Sequence, residues 1–370
     1  MTSHRKDMHM KLALATYQAR EKRQPDSPFA DARFVHHAIP HLNQADIDLS
    51  TTCFGRTFPY PFYINAMTGA SSWAEEVNRN LAIVARECQL PMASGSVSAA
   101  LKEPQYEKSY EIIRATHPEG FLFANLGMDK SWAEAEKAIN LLAADALQIH
   151  LNTPQELIMP EGDRNFQQAY PHLAEIAKKC PLPLVVKEVG FGMSQETINE
   201  LLTLPIAAID VSGRGGTNFA ELENIRREKR ELTELTTWGQ STLISLLEAQ
   251  TYLNQTTILA SGGVTTALEI VKCLALGARL VGLSGFFLKH ILREGVDKTI
   301  ARVEGLKEEL RTIYLLLDAK TTHDLTATDL VILNETAAWC QARQLPYQKL
   351  ACRRRQKKLT TKTKAPHPEN

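Results

Sequence analysis

Eight short apolar segments alternate with amphipathic segments through the middle of this 370-residue chain. The apolar segments have the period-2 or continuous hydrophobicity of buried strands, and the segments between them have the 3.6-residue period of helices. The strand candidates are residues 61–67, 91–96, 120–127, 146–152, 183–189, 207–213, 256–263 and 278–285. Eight βα units over about 225 residues match a (β/α)8 TIM barrel better than an open sheet, and no GxGxxG fingerprint follows the first strands. We therefore predict the α/β class and a barrel.

The pattern divides the chain into four parts. Residues 1–60 form an N-terminal arm and lead-in segment, and residues 61–316 form the barrel. Residues 317–350 resemble one or two capping helices. Residues 351–370 are polar and basic, with three adjacent arginines, so we expect a disordered, solvated tail.

Charge and composition argue against several kinds of partner. Lys+Arg and Asp+Glu both number 42, so the formal net charge of zero does not favour binding to nucleic acid or to an anionic membrane. No apolar run approaches the ~18 residues of a membrane-spanning helix, and the first residues do not resemble a secretory signal. Six scattered cysteines without a CxxC pair favour a reducing, cytoplasmic location.

Polar residues and glycines collect at one end of nearly every predicted strand, where the active site of a barrel forms. One such ending could be simple turn chemistry, but seven or eight together predict a lined pocket. The endings include Asn65, Met67, Thr68, Gly69, Ser94, Ser96, Asn125, His150, Asn152, Lys187, Asp210, Ser212, Thr217, Ser261 and Ser284.

The last two strand endings indicate a phosphate site. SGGVTT (261–266) and GLSGFF (282–287) place glycines before the N-termini of the next helices. Exposed backbone N–H groups and the helix dipole favour an anion there, although plain turns would have the same composition.

Lys187 lies in the middle of the predicted strand VVKEVG, where an unpaired charge is costly. Its neighbour Glu188 faces the opposite side of the strand, so an anionic ligand or an electron-rich ring near Lys187 is the better interpretation.

His150 and Asn152 share one face of their strand, and Gln155 and Glu156 follow in the loop. Glu156 is either a candidate Mg²⁺ ligand or part of a solvated helix start, and His150 is either a site residue or a structural histidine.

The order of these residues resembles the type 2, FMN-dependent isopentenyl-diphosphate isomerases. The similar segments include RKDMH (5–9), INAMTGA (64–70), QIHLNTPQELIMPEGDR (148–164), VVKEVGFGMS (185–194) and AIDVSGRGGTNFAELENIRR (208–227). The resemblance implies a barrel that binds FMN and Mg²⁺ and interconverts isopentenyl and dimethylallyl diphosphate. It also implies reduced flavin, with NADPH as reductant, and a tetramer or octamer.

The resemblance also implies a role for individual residues. The catalytic candidates are Gln155, Lys187 and His150. The FMN-binding candidates are Met67, Thr68, Gly69, Ser96, Asn125, Lys187, Ser212, Thr217, Gly262, Gly263, Ser284 and Gly285. The substrate candidates are Arg5, Lys6, His9, Ser96, Ser98, His150, Asn152 and Gln155, and Glu156 is the metal candidate.

Two positions depart from the family pattern. Met8 replaces the usual acid of the arm, and Val97 replaces a glutamine that often follows the serine at the end of the second strand. A polar substrate contact is therefore expected to be absent at Val97. Neither change affects the expected flavin phosphate site or the proposed metal ligand.

Two other functions share parts of this sequence pattern. A 2-hydroxy-acid oxidase of the same fold needs a histidine base near the late strands, and this chain has no histidine between His172 and His290. A flavin-binding protein without turnover is disfavoured by the intact MPEGDR, GRGGTN and RKD segments.

An isomerase moves a proton onto one carbon and off another, so its redox cofactor would supply electron density, and a proton, without net oxidation.

Overall fold

The computed structural model describes residues 7–8, 10–12, 14–15, 27–227 and 232–355. The lead-in segment contains the strands β1 (Ala32–Phe34), β2 (Thr51–Cys53) and β3 (Arg56–Phe58). Strands β2 and β3 form an antiparallel hairpin. Its two-residue turn places Phe54 at φ 54° and Gly55 at φ 71°, the positive angles that a tight hairpin turn requires.

Eight parallel strands then close into a barrel, which confirms the predicted fold class. They pair in chain order, and the last strand returns to the first with Gly282 opposite Tyr63. Each lies within one of the eight predicted segments. The strands are β4 (Phe62–Ile64), β5 (Met92–Ala93), β6 (Leu122–Gly127), β7 (Ala146–Leu151), β8 (Leu184–Glu188), β9 (Ala208–Asp210), β10 (Thr257–Ser261) and β11 (Val281–Leu283).

Helices surround the barrel. They are α1 (Ser72–Cys88), α2 (Ser98–Lys102), α3 (Lys108–Thr116), α4 (Trp132–Leu142), α5 (Thr153–Ile158), α6 (Ala169–Lys179), α7 (Gln195–Leu201), α8 (Phe219–Ile225), α9 (Thr242–Glu248), α10 (Ala267–Ala275), α11 (Gly285–Leu316) and α12 (Asn334–Ala342). Helix α11 is interrupted at Gly295, whose φ is 78°. Across the described ranges, no helix is long and apolar enough to cross a membrane.

Short polar residues fix where many of these helices begin. Each accepts a hydrogen bond from a backbone N–H in the first turn, which satisfies a donor that the helix itself leaves unpaired. The capping residues are Ser71, Ser131, Ser194, Asn218, Ser241 and Thr266. Ser131 and Thr266 also form capping boxes with Glu134 and Glu269.

Side-chain alternation gives each barrel strand two different faces. Outward residues such as Ile149, Val186 and Ile209 belong to the large core shared with the helices. The inward residues form a separate apolar cluster that includes Tyr63, Phe123, Ala146, Val185, Ala208, Leu259 and Leu280.

The next inward position on every strand, two residues further on, breaks this apolar pattern. These eight residues are Asn65, Gly95, Asn125, Gln148, Lys187, Asp210, Ser261 and Gly282, and we call them the polar layer. Because they lie towards the carboxyl ends of parallel strands, they form the floor of whatever site opens there.

The C-terminal segment differs from the prediction of helices alone. Helix α12 is present, but a strand β12 (Leu330–Ile332) precedes it and pairs antiparallel with β1, with Arg33 opposite Val331. Short 3-10 helices at His323–Ala327 and Tyr347–Cys352 complete the segment. This pairing ties the lead-in segment to the end of the fold.

The prediction that the tail is disordered from residue 351 is wrong for its first residues. The Arg353 guanidinium donates to the carbonyl oxygens of Thr328 and Ala275 at 2.7 and 2.8 Å. The Arg354 backbone N–H donates to Asp329 at 2.9 Å. These arginines bind carbonyl groups and a carboxylate of neighbouring segments, so they are part of the fold. Residues 356–370 lie outside the described residues.

Glu248, at the end of α9, connects three separate segments through one fully buried carboxylate. It accepts hydrogen bonds from Trp339 Nε1 at 2.9 Å, Arg343 Nε at 3.0 Å and the backbone N–H of Gln195 at 3.1 Å. Arg343 also binds the exposed Glu196 at 2.6 Å. Glu248 therefore attaches α12 to the barrel.

We expect the Glu248→Ala variant to lose about 2 kcal/mol of the free energy of unfolding, because three partly buried donors lose their fully buried acceptor. Urea unfolding followed by circular dichroism measures this loss. Glu196→Ala is the matched control, since it removes the exposed partner of the same arginine and should change stability little. Equal stability of the two variants would contradict the assigned role of Glu248.

Candidate active site

A cavity of about 510 Å³ opens at the carboxyl ends of the barrel strands, above the polar layer. It brings together most of the residues predicted from the sequence. They are Met67, Thr68, Ser96, Ser98, Asn125, His150, Asn152, Gln155, Glu156, Lys187, Ser212, Thr217, Gly262, Gly263, Ser284 and Gly285. Arg5, Lys6 and His9 lie outside the described residues.

Gly69 is the one described candidate that does not line the cavity. It is buried against the ring of Tyr110, and a Cβ at this position would lie 2.2 Å from that ring. The Tyr110 hydroxyl in turn donates to the carbonyl oxygen of Ser96 at 2.6 Å. Close packing against Tyr110, behind the cavity wall, thus requires a glycine at this position.

Five glycines form a second part of the wall, where the loops after β9 and β10 approach each other closely. We call Gly213, Gly215, Gly216, Gly262 and Gly263 the glycine cradle. A Cβ on Gly262 would lie 2.1 Å from the carbonyl oxygen of Gly213, and one on Gly263 would lie 2.6 Å from the carbonyl carbon of Gly215. Gly262 and Gly263 also have φ of 93° and 76°. Only glycine fits both requirements, so backbone rather than side chains faces the cavity here.

The start of α11 lies beside the glycine cradle. Its N-cap, Ser284, makes no side-chain cap hydrogen bond to the helix, and the Ser284 and Gly285 positions line the cavity. The first N–H groups of a helix lack intrahelical partners and carry partial positive charge. This wall therefore suits the phosphate of a nucleotide such as FMN.

Thr68 supplies an independent sign that a polar ligand belongs in the cavity. Its hydroxyl oxygen is buried and has no hydrogen-bond partner in the described part of the chain, although the residue lines the cavity. Buried polar groups are nearly always satisfied, so a ligand with a polar edge would supply the missing partner.

Ser212, on the opposite wall, has the strained φ of 26°, which is uncommon for a residue other than glycine.

Lys187 lies on the inward face of β8 and is only 5% exposed. Its Nζ donates to the carbonyl oxygen of Glu188 at 2.6 Å, and Asp210 stands opposite Lys187 on the neighbouring strand. Burial lowers the pKa of Lys187, while the negative charges of Asp210 and Glu188 act in the other direction. A protein carboxylate, Asp210, therefore stands near Lys187, and the expected anionic ligand or electron-rich ring beside this lysine stays a prediction. Sequence reasoning missed this role of Asp210.

Glu188 faces away from the barrel interior, as predicted from strand alternation. Its carboxylate accepts hydrogen bonds from the backbone N–H groups of Val189, Gly190 and Phe191 at 2.6, 2.8 and 2.5 Å. Burial raises the pKa of Glu188 to about 7, against the opposite effect of these donors. The Glu188 carboxylate therefore holds the loop after β8. The Lys187 ammonium group binds the Glu188 backbone carbonyl oxygen and not this carboxylate.

The segment after β7 is folded around Arg164. The Arg164 guanidinium donates to the carbonyl oxygens of Glu156, Met159, Gly162 and Asp163 at 2.6 to 2.9 Å. This loop places Glu156 at the cavity edge. One of its carboxylate oxygens accepts from Asn152 at 2.8 Å and the other accepts from the Asp163 N–H at 3.0 Å.

The surroundings of Glu156 fit a hard cation held mainly by a ligand. No group of three or more Cys, His, Asp or Glu residues in the described ranges is arranged to hold a metal ion. Mg²⁺ commonly binds through one or two carboxylates, with substrate phosphates and water completing its shell. Glu156, on a cavity with a wall that suits a phosphate, fits that arrangement, and Asp129, Glu161 and Asp163 also line this cavity.

Gln155 is positioned by a buried network that sequence reasoning missed. Its amide nitrogen donates to Glu223 at 3.2 Å, and the fully buried Glu223 is bound by Arg226. Arg226 also pairs with Glu161 of the loop after β7. Because an ionised carboxylate can only accept, this contact directs the Gln155 amide nitrogen towards α8 and leaves its carbonyl oxygen on the cavity side. The only sequence signal for Glu223 was its place in the similar segment 208–227.

Comparison with known proteins agrees with this geometry. A family model described as FMN-dependent dehydrogenase matches residues 115–332. Proteins named isopentenyl-diphosphate delta-isomerase from Staphylococcus aureus strains Mu3 and Newman are 44% identical to this chain over 341 residues. The similarity covers 92% of this chain and 96% of each of those proteins.

Solved structures share the fold at low sequence identity. Flavocytochrome b2 with sulfite bound has a TM-score of 0.61 and 20% identity, covering 80% of this chain and 75% of that one. A mandelate oxidase mutant with the monooxide FMN adduct has a TM-score of 0.62 and 17% identity, covering 83% and 90%. These likenesses show the barrel architecture, whereas the closely similar sequences show the family. The chain belongs to the isopentenyl-diphosphate delta-isomerases, which share the barrel of the FMN-dependent dehydrogenases.

Proposed function

We propose that this protein interconverts isopentenyl diphosphate and dimethylallyl diphosphate in isoprenoid biosynthesis, with reduced FMN as its cofactor. One observation carries the proposal: the glycine cradle and the segment from His150 to Glu156 open into the same cavity. The first suits a flavin phosphate, and the second suits a small ligand with its own diphosphate. Bound reduced FMN would supply electron density beside the reacting alkene.

The chain's own residues would bind, orient and neutralise charge. Lys187, held on the inward face of β8, would stabilise negative charge on the ligand above the polar layer. Gln155 and His150 would face the reacting end of the substrate from one wall. Ser96 and Ser98, whose hydroxyl groups lie 3.0 Å apart, would contact the substrate from the other. Positioning of this kind contributes most where the site excludes water.

The cation and the reductant are part of the same proposal. Glu156 would hold Mg²⁺ against the substrate diphosphate, which neutralises a charge that the cavity would otherwise have to bind alone. NADPH would reduce the flavin before turnover, because the isomerisation itself consumes no electrons. Arg5, Lys6 and His9 of the N-terminal arm would complete the diphosphate site.

We further propose a cytoplasmic homo-oligomer, either a tetramer or an octamer. All six cysteines are free, and four of them are buried, as expected for a protein of a reducing compartment. Residues 1–60 would serve as an arm and lead-in segment and residues 317–350 as a cap on the barrel, with substrate-facing residues supplied by the arm.

An oxidase reaction on a 2-hydroxy acid is the alternative that the fold would allow. That chemistry needs a general base near the reacting carbon, and the described loops after β8, β9 and β10 contain no histidine. The histidine in this cavity, His150, is on β7 instead. The isomerase therefore accounts better for these residues.

The first test incubates the purified protein with FMN, Mg²⁺ and isopentenyl diphosphate in D2O without oxygen, with and without NADPH. Proton NMR should show dimethylallyl diphosphate carrying deuterium only where NADPH has reduced the flavin. Binding of FMN with unchanged substrate under both conditions would contradict the isomerase and leave only the flavin site.

The Glu156→Gln variant tests the metal assignment. We expect the Mg²⁺ concentration for half-maximal activity to rise about ten-fold or more, because the neutral amide is a weaker ligand for a hard cation. The absorbance spectrum of bound FMN should stay unchanged. Glu175→Gln, which changes an exposed glutamate of α6 far from the cavity lining, is the charge-matched control. An unchanged Mg²⁺ requirement in Glu156→Gln would refute this ligand.

A further inference from the structure

Lys130 is a buried lysine of the active cavity that has no part in the site described above. It lies in the short segment GMDKS (127–131), between the end of β6 and the residue that caps the start of α4. The cavity that it lines is also lined by His150 and Glu156. Lys130 is only 9% exposed, so its charge is largely removed from water. A lysine in that position needs an anionic partner.

The partners of Lys130 differ from those of the other buried lysines. Four lysines of the described chain are buried. Lys187, Lys272 and Lys307 each donate to a backbone carbonyl oxygen, at 2.6 to 3.0 Å. The Lys130 ammonium group has one partner among the described residues, the carboxylate of its neighbour Asp129. An ammonium group has three donors, so two of them are left for a ligand or for water.

Asp129 holds this ammonium group beside His150. The Asp129 side chain is 47% exposed, so the pair is not enclosed by protein. Its Oδ1 folds back over the end of β6, where a Cβ on Gly127 would lie 2.6 Å from that oxygen and 3.4 Å from His150 Nε2. The Lys130 backbone N–H donates to the Gly127 carbonyl oxygen at 3.3 Å, which fixes the turn. The turn therefore places the Asp129–Lys130 pair at the His150 end of the cavity.

The proposed metal ligand borders the same space. Asp129, Asn152 and Glu156 line both the active cavity and a smaller cavity of about 230 Å³ beside it. A diphosphate carries more negative charge than one Mg²⁺ neutralises. A buried ammonium group near the metal ligand would bind the remaining charge, as lysines do in many phosphate sites.

The other lysines of the cavity are placed for other tasks. Lys187 belongs to the polar layer and stands opposite Asp210. Lys289 lies in the first turns of α11, beside the wall that suits the flavin phosphate. Lys102, at the end of α2, is exposed. Lys130 is thus the buried lysine on the side of the cavity that holds His150.

We propose that Lys130 binds the diphosphate of the substrate, together with the cation held by Glu156. The identity of the ligand as a prenyl diphosphate rests on the proposed function, whereas an anion site at Lys130 does not depend on turnover. The ammonium group keeps Asp129 as its protein partner and donates to phosphate oxygens with its two remaining donors. The diphosphate does not react, so Lys130 contributes affinity in the ground state and the transition state alike.

The first test measures the binding of inorganic pyrophosphate to the FMN-bound protein by isothermal titration calorimetry, with Mg²⁺ present. Bound FMN fills its own phosphate wall, so the titration reports the second anion site. We expect the dissociation constant of pyrophosphate to rise about ten-fold in Lys130→Gln, because charge-assisted hydrogen bonds are lost.

Lys137→Gln is the matched control, since Lys137 is exposed on α4 and does not line the cavity. It should leave the dissociation constant unchanged. The same constant in Lys130→Gln as in the unaltered protein would overturn the proposal. Failure of the unaltered protein to bind pyrophosphate would overturn it as well.

The Lys130→Arg variant separates charge from packing. It keeps the positive charge, so pyrophosphate should bind within about three-fold of the affinity of the unaltered protein. Both variants should keep the absorbance spectrum of bound FMN, which shows that the barrel is folded. An equal loss of pyrophosphate affinity in Lys130→Arg and Lys130→Gln would contradict the role of the charge.

Steady-state kinetics keep this proposal apart from the proposed function. In Lys130→Gln, we expect KM for isopentenyl diphosphate to rise about ten-fold while kcat changes less than about two-fold. A lower kcat at unchanged KM would count against a binding role. Pyrophosphate affinity that depends on Lys130, in a protein that does not isomerise the substrate, would refute the proposed function and support the anion site.

Discussion

A buried carboxylate and a buried ammonium group on neighbouring strands underlie the whole site. Asp210 and Lys187 stand opposite each other in the polar layer, and both are buried. The negative charge of Asp210 favours the charged form of Lys187, and Tyr63 and Ser261 donate hydrogen bonds to the Asp210 carboxylate. Opposite charges can therefore be buried together in the polar layer, which forms the floor of the cavity.

The barrel alone does not define the chemistry, which depends on the side chains above that floor. The fold neighbours include an oxidase, yet they are similar in architecture alone, at 16–20% identity. This chain instead places His150, Gln155 and Glu156 on one wall, with their orientations set by Asn125, Glu223 and the Arg164-centred loop. Those contacts fix the orientation of the side chains that line the cavity.

Much of this architecture could be predicted from local sequence patterns, and the exceptions share a physical cause. Periodicity located all eight barrel strands, and strand alternation correctly placed Lys187 and Glu188 on opposite faces. The pairing of β1 with β12 was missed because each strand has three residues, too few for a period, and they lie about 300 residues apart. The roles of Asp210 and Glu223 depend on partners such as Tyr63 and Arg226, and the packing of Gly69 depends on Tyr110. Such contacts between distant positions are not visible in a single sequence.

The proposed isomerisation moves protons without net electron transfer, on a barrel that matches the FMN-dependent dehydrogenase family model. The most direct measurement follows the absorbance of protein-bound FMN, reduced once with dithionite under anaerobic conditions, while isopentenyl diphosphate is added in large excess. We predict that many equivalents of substrate are converted while the flavin spectrum stays that of the reduced form. Oxidation of the flavin in step with substrate loss would contradict this account and assign the protein to oxidoreductase chemistry.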